Sequence, residues 1–247
     1  MQTSPIQRAR TALRLLRVGE LAFKRGYCAL CRSDKLFVRL RRDEIAVRCL
    51  SCRASPITLS MVDVLSAFPL DKLHVYELSA RGPLCAFLQH SAAALTTSEY
   101  LDGATAGELR DGIRHEDVQA LSFADASFDL CSSTEVFEHV PDDRRAMREI
   151  HRVLKPGGHF VFTVPLIQQP RTIERARLQP DGTVEHLEPP EYHIDPARGG
   201  QAILAFRNYG LDIVDRLREA GFEQAEIRTP RALPWDYQRP VVLARRG

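Results

Sequence analysis

Four of the six cysteines fall as Cys28-x-x-Cys31 and Cys49-x-x-Cys52, with 17 residues between the pairs. Two residues between thiols let one tight turn aim both at a tetrahedral ion, and two such knuckles on a β-ribbon complete its coordination shell. Sulfur fills all four positions and none is left for water, so the spacing predicts a structural zinc site formed by Cys28, Cys31, Cys49 and Cys52. Two unrelated pairs, or a redox pair, are the other readings of the same pattern. Strands are expected over residues 36–40 and 45–48, with Arg41, Arg42, Asp43 and Glu44 at the turn. Cys85 and Cys131 stand alone in apolar settings and read as small core residues.

Charge divides the chain. Residues 1–53 carry 13 Lys/Arg against 4 Asp/Glu, a net +9, and the remainder carries −7. Ser4-Pro5 reads as a helix cap, and Ile6, Ala9, Leu13, Leu16 and Leu21 repeat at near-helical spacing, which predicts a basic amphipathic helix through about residue 25. Its Arg8, Arg10, Arg14 and Arg17 suit phosphate, an anionic surface, a partner subunit in a homodimer, or plain solvation. The longest nearly unbroken apolar stretch, around residues 159–167, is well short of the roughly 20 residues that span a bilayer. No charged-then-apolar leader follows Met1, and the expectation is a cytoplasmic protein without a membrane span. At 44% hydrophobic and 27% charged, 247 residues supply one large domain or two unequal ones.

From about residue 71 apolar strands alternate with helices, the pattern of a parallel sheet covered on both faces. Strands are expected at 73–78, 94–100, 128–132, 159–164, 225–229 and 241–244, with a weaker one at 117–120. Helices are expected at 83–90, 142–154 and 211–220, the second closed by Lys155-Pro156-Gly157-Gly158. The division is a basic helix plus ribbon over 1–68 and an α/β domain over 69–247. In such a sheet the ligand sits outside the carboxyl ends of the strands. Glu77, Glu99 and Asp117 occupy those ends, and an acid after the second strand can accept both hydroxyls of a ribose.

The stretches VYELSARGPL, LTTSEYL, HEDVQALSFADASFDLCSSTEVFEHVPD and REIHRVLKPGGHFVFTVP, in this order over about residues 73–165, resemble class I S-adenosylmethionine-dependent methyltransferases, in the branch that acts on small molecules. The resemblance implies an α/β, Rossmann-like, seven-stranded sheet ending in a reversed hairpin, beside the small N-terminal zinc ribbon. Carried over by position, Glu77 is the acid of the first-strand motif, Glu99 the ribose acid and Asp117-Val118 the adenine-side pair. Ser133, Thr134 and Glu135 line the methionine end of S-adenosylmethionine. The family's alternating glycines are absent. The chain reads Ser79-Ala80-Arg81-Gly82-Pro83, where the side chains of Ser79 and Arg81 crowd the cofactor's route unless the turn has another shape. Arg81, beside a helix starting near Pro83, is placed to pair with the methionine carboxylate.

Methyl transfer from a sulfonium is an in-line displacement, so the protein chiefly aligns the acceptor and removes its proton where needed. His139, next to Glu138 just past the fourth strand, is one candidate base; capping of the next helix is the other role for this pair. Residues 166–210 form a long connection that reads as a lid. It carries His186, Tyr192 and His193 as further candidates for substrate recognition or base catalysis, with packing as the plain alternative. His186 and His193 with Glu188 or Asp195 is a weaker metal reading, since no regular ligand spacing supports it.

Three functions follow: a methyltransferase for a small molecule or metabolite, a ribosomal RNA base methyltransferase reading its substrate with the ribbon, or a non-catalytic interaction protein. The first is favoured. The ribbon offers only Phe37 for base stacking, the second half is acidic, and the fourth-strand loop lacks the Asn/Asp-Pro-Pro-aromatic sequence of amino-group base methylators.

Overall fold

The computed structural model describes residues 16–195 and 201–247. Residues 1–15, with most of the expected basic helix, lie outside the described residues, so only its last part can be compared. There, β1 (Ala22–Cys28) pairs along its whole length with β2 (Ser33–Arg39), placing Cys28 opposite Ser33, and β3 (Val47–Cys49) joins the other side of β2. Of the expected helix, the part that can be compared forms a single 3-10 turn at Val18–Glu20 and then a strand from residue 22. The ladder with β2 overrides the spacing of Leu16 and Leu21, because a paired strand is what brings Cys28 to the knuckle. Arg32 and Arg53, each just after the second cysteine of its pair, have φ of 52° and 63°, the left-handed turn that folds each knuckle back. Phe37, expected to be available for stacking, is fully buried in the ribbon core with Val47 and Leu59.

An unexpected helix follows. In α1 (Pro56–Leu65), Ser55 caps the first turn by accepting from the Thr58 amide at 3.2 Å, and Pro56 fits a turn where its missing N–H costs nothing. Leu59 points into the ribbon core, whereas Met61, Val62, Val64 and Leu65 pack against Val75, Leu130 and Val161 of the main sheet.

The main domain continues with β4 (His74–Glu77), α2 (Gly82–Ser91), β5 (Ala94–Thr97), β6 (Phe128–Thr134), α3 (Asp143–Val153), β7 (Leu154–Thr163), α4 (Ile213–Glu219), β8 (Gln224–Arg228) and β9 (Val241–Arg245). The strand order is β8-β9-β7-β6-β4-β5. The four strands from β5 to β7 are parallel, and β9 runs antiparallel between β7 and β8, the expected reversed ending. Helices α3 and α4 cover one face through Met147, Ile150, Ile213 and Leu217, and α1 and α2 cover the other.

Among the described residues the sheet has six strands, not seven. The weak strand expected at 117–120 is a turn, and pairing beyond β5 shrinks to one parallel bridge between Glu99 and His115. Asp117 accepts from the Gln119 amide at 2.9 Å, and this local turn removes the backbone a longer ladder would use. The Lys155–Gly158 segment is likewise not a stop between elements. It opens β7, with Gly157 at φ 78° and a register shift opposite Phe128 and Leu130. At Gly158 a Cβ would lie 2.8 Å from the Lys155 carbonyl oxygen, so this crowded entry requires glycine. No helix among the described residues is long and apolar enough to cross a membrane.

Candidate active site

Glu77 ends β4 fully buried and accepts from the hydroxyl of Ser132 on β6. Burial, reinforced by Glu99, pushes its carboxyl up to about 8 despite that hydrogen bond. After β4 the backbone bends through 78–81, and Gly82, at φ 93°, turns it into α2. The glycine-poor loop folds back on the second acid. Glu99 Oε1 accepts from the Ser79 hydroxyl at 3.1 Å and the Ala80 amide at 3.0 Å, so both hydrogen bonds fall on one oxygen. Arg81 is half-buried at the start of α2. Asp117 spends Oδ1 on the backbone and side chain of Gln119, and Val118 lies in the core with Tyr76 and Phe128.

At the end of β6 polar atoms are buried without partners. Among the described residues Ser133 Oγ and Thr134 Oγ1 make no hydrogen bond, and Thr163 Oγ1, at the end of adjacent β7, faces Glu135. Glu135 follows at φ 52°, a conformation that costs a residue with a Cβ on the order of 1 kcal/mol or more. Its Oε2 lies 3.2 Å from Arg239, which also holds Glu44 of the ribbon turn at 2.5 Å. Burial and nearby Glu138 push Glu135 up to about 7 against the pull of Arg239.

Beyond this strand end the 166–210 connection folds over as three short antiparallel pairs, and it brings His193 against the turn after β6. Glu138 is buried and neither carboxylate oxygen is hydrogen-bonded; His139 Nε2 lies at 3.8 Å and His193 Nδ1 at 3.7 Å from its Oε1. The two imidazoles meet edge to face, centroids 4.9 Å apart. Glu138, with Glu191 behind it, pushes His193 up to about 9 against the effect of burial. His186 and Tyr192 do not join this group: both are exposed, His186 on the Val184–His186 strand and Tyr192 beginning the Tyr192–Asp195 strand. Glu188 is also exposed, and the side chain of Asp195 lies outside the described residues.

Buried Arg207 fastens the connection to the turn. It donates to the carbonyls of Phe137 at 3.0 Å, Val140 at 2.6 Å and Pro141 at 2.7 Å, while the Phe206 amide donates to the Glu138 carbonyl at 2.7 Å. Asp143 lies 3.7 Å from Arg207 and accepts from Tyr209 at 2.8 Å and Arg216 at 3.0 Å. Arg207 and Arg239 escaped the sequence reading because the residues they hold lie far along the chain, as distant as Glu44 for Arg239, with no motif linking them.

Residues 81–162 match a family model described as a methyltransferase domain. Over 188 residues the chain is 30% identical to 24-methylenesterol C-methyltransferase 2 of Arabidopsis thaliana, covering 70% of this chain and 48% of that protein. The matched segment is thus similar to a methyltransferase domain. A shorter stretch of 74 residues is 38% identical to the malonyl-[acyl-carrier protein] O-methyltransferase of Erwinia billingiae, covering 30% of each. The chain thus spans about half or less of these relatives. The 1,6-didemethyltoxoflavin-N1-methyltransferase of Burkholderia thailandensis, solved with 1,6-didemethyltoxoflavin and S-adenosylhomocysteine bound, has the same fold. Its TM-score is 0.51 at 17% identity over 77% of this chain and 78% of that one.

In this domain the raised Glu77 sets a pH dependence. A carboxyl near 4.5 when unfolded and about 8 when folded stabilises the fold fully below 4.5, and that contribution is lost as pH rises through about 8. Glu135 acts in the same direction up to about 7. Glu77→Gln is expected to flatten the decline in unfolding free energy between pH 5 and 8, measured by urea melts; an unchanged slope would assign the decline elsewhere.

The four ribbon cysteines converge as well. Cys28 and Cys52 sulfurs are 3.6 Å apart, and all four sulfurs lie within 4.8 Å of one another with none in a disulfide. Cys85 and Cys131 are buried in the main domain.

Proposed function

We propose that the chain transfers the methyl group of S-adenosylmethionine to a small-molecule or metabolite acceptor, and that Cys28, Cys31, Cys49 and Cys52 hold a structural zinc ion. The observation that carries the cofactor reading is the pair of unpartnered hydroxyls at Ser133 and Thr134, at the carboxyl end of a parallel strand. Buried polar atoms left unpaired call for a ligand, and this is where the fold places one. Glu99 fits the ribose: the loop hydrogen bonds fix one oxygen and orient the carboxylate, and the other oxygen meets the hydroxyls. Ser79, Arg81 and Gly82 belong to the loop that sets this orientation, with Glu77 beneath it. Asp117 and Val118 form the wall beyond Glu99, and Ser133, Thr134 and Glu135 line the methionine end.

On the acceptor side stand Glu138, His139 and His193. His139 Nδ1 is held by the Leu204 carbonyl at 2.8 Å, so Nε2 is the nitrogen turned toward Glu138. Exposed Tyr192 and His186 are left as rim residues. Phe37 is buried and cannot stack on a base, whereas Phe23 and Tyr27 of β1 are the exposed aromatics of the ribbon. The named relatives, a sterol and a malonyl-carrier-protein methyltransferase, support metabolite acceptors. Four thiols within one tetrahedron's reach, with no position left over, support zinc in a structural role.

Calorimetric titration with S-adenosylmethionine and S-adenosylhomocysteine tests the reading. Binding is expected in the native chain and about 10- to 100-fold weaker in Glu99→Ala, the worth of one or two hydrogen bonds to a charged group. Absence of heat and thermal shift with either ligand would leave a domain that has lost its cofactor.

A further inference from the structure

We infer that Glu138, His139 and His193 form a binding site for one divalent transition-metal ion, placed on the acceptor side of the methyl-transfer site. This deepens the proposed function, since the ion's remaining positions would take an oxygen donor of the acceptor. The ligand atoms all lie within 4.8 Å of one another. The separations of 3.7 and 3.8 Å from Glu138 Oε1 to the two imidazole nitrogens are too long for hydrogen bonds. They are near the edge of about 3.4 Å for a tetrahedron with metal–ligand bonds of about 2.1 Å. A contraction of a few tenths of an ångström would bring these two edges to that length, with the third, between the two imidazole nitrogens, within 4.8 Å.

The outer contacts select the same nitrogens. His139 donates Nδ1–H to the Leu204 carbonyl, which leaves the lone pair of Nε2 turned toward Glu138. His193 uses Nε2 on Glu191 at 3.1 Å, which leaves Nδ1 turned toward Glu138. Glu191 is itself held by the Asn208 amide at 3.2 Å and by Arg175 at 3.4 Å. Each imidazole therefore has one nitrogen fixed by an acceptor and the other aimed inward, the arrangement by which proteins orient histidine ligands. Inward lies the buried carboxyl of Glu138, whose Oε1 faces both imidazoles beyond hydrogen-bonding distance.

Two imidazoles and one carboxylate suit zinc, iron(II) or manganese, with positions left open. His139 and His193 retain partial exposure, which gives an ion a route in. The two halves of the site come from the turn after β6 and from the folded-over connection, so an ion would also clamp the connection in place. A proton on His193 is the competing way to balance Glu138, and metal content separates the two.

The test is metal analysis of the full chain after equilibration with buffered zinc, alongside Glu138→Gln, His193→Ala and Cys49→Ser. The native chain is expected to hold about two ions, and each of Glu138→Gln and His193→Ala about one. Cobalt(II) added to protein already zinc-loaded at the cysteines should give d–d absorption without thiolate charge transfer, lost in Glu138→Gln. A native chain with one ion, or variants that keep the native count, would overturn the site. Glu138→Gln keeps the side chain's size, and unchanged S-adenosylhomocysteine affinity in it confirms folding. Cofactor binding without a second ion would sink this inference alone, whereas a second ion without cofactor binding would sink the methyl-transfer reading alone.

Discussion

If the four ribbon thiols hold zinc as proposed, removing it is expected to unfold residues 22–54. The ribbon's apolar interior is small, essentially Phe37, Val47 and Ala54 with the cysteines, helped by Leu59 and Leu233 from outside. A segment this short does not hold itself by burial alone, and structural zinc typically contributes on the order of 10 kcal/mol to such folds. Hydrogen exchange should then show the amides of Leu36, Cys49 and Leu50 going from protected to fast on chelation, while those of Val75 and Leu130 in the main sheet stay slower. Cys49→Ser should behave like the chelated protein. Ribbon amides that remain protected in metal-free protein would mean that the thiols do not hold this fold.

Arg207→Met is expected to cost about 3–5 kcal/mol of unfolding free energy, the usual penalty for removing one member of a buried charged network. Asp143 keeps Arg216 and Tyr209, but the carbonyls of Phe137, Val140 and Pro141 lose their donor inside the protein. Those carbonyls belong to the turn that presents Glu138 and His139. The substitution should therefore abolish acceptor turnover while cofactor affinity changes little, since Glu99 and Ser133 lie on other segments. Arg207→Lys should recover only a fraction, because an ammonium cannot reach three carbonyls with a planar fork. A denaturation midpoint within experimental error of the native protein would remove this role from Arg207.

The regular part of the fold was legible because its physics is local. Residues 94–97 and 241–244 alternate with helices whose apolar spacing and caps stand in the sequence, and the knuckle spacing brought four thiols to one place. What failed had competing local signals. The spacing of Leu16 and Leu21 reads as helix until a partner strand claims residues 22–28. Residues 117–120 look like a short strand until the Asp117 side chain captures the backbone. Helix α1 did leave a signal, since Ser55-Pro56 repeats the cap-then-proline pair noted at Ser4-Pro5. At the site, the sequence named His139 and His193 separately, but not their meeting with Glu138. That meeting depends on how a long connection folds back, which a linear pattern does not encode. Nor did the missing glycines foretell that Ser79 and Ala80 would hold Glu99 in place.

Arg239 ties the ribbon to the domain in a way that couples position to charge. Glu44 and Glu135 compete for one guanidinium. A shift of the ribbon turn that draws Glu44 away would leave Arg239 wholly to Glu135 and favour its ionised form near neutral pH, where it is poised to titrate. Linkage makes the effect reciprocal. A ligand that prefers a charged Glu135 would loosen the ribbon turn, so the small N-terminal sheet acts as a lever on the proton occupancy of a group at the end of β6, without touching the ligand itself.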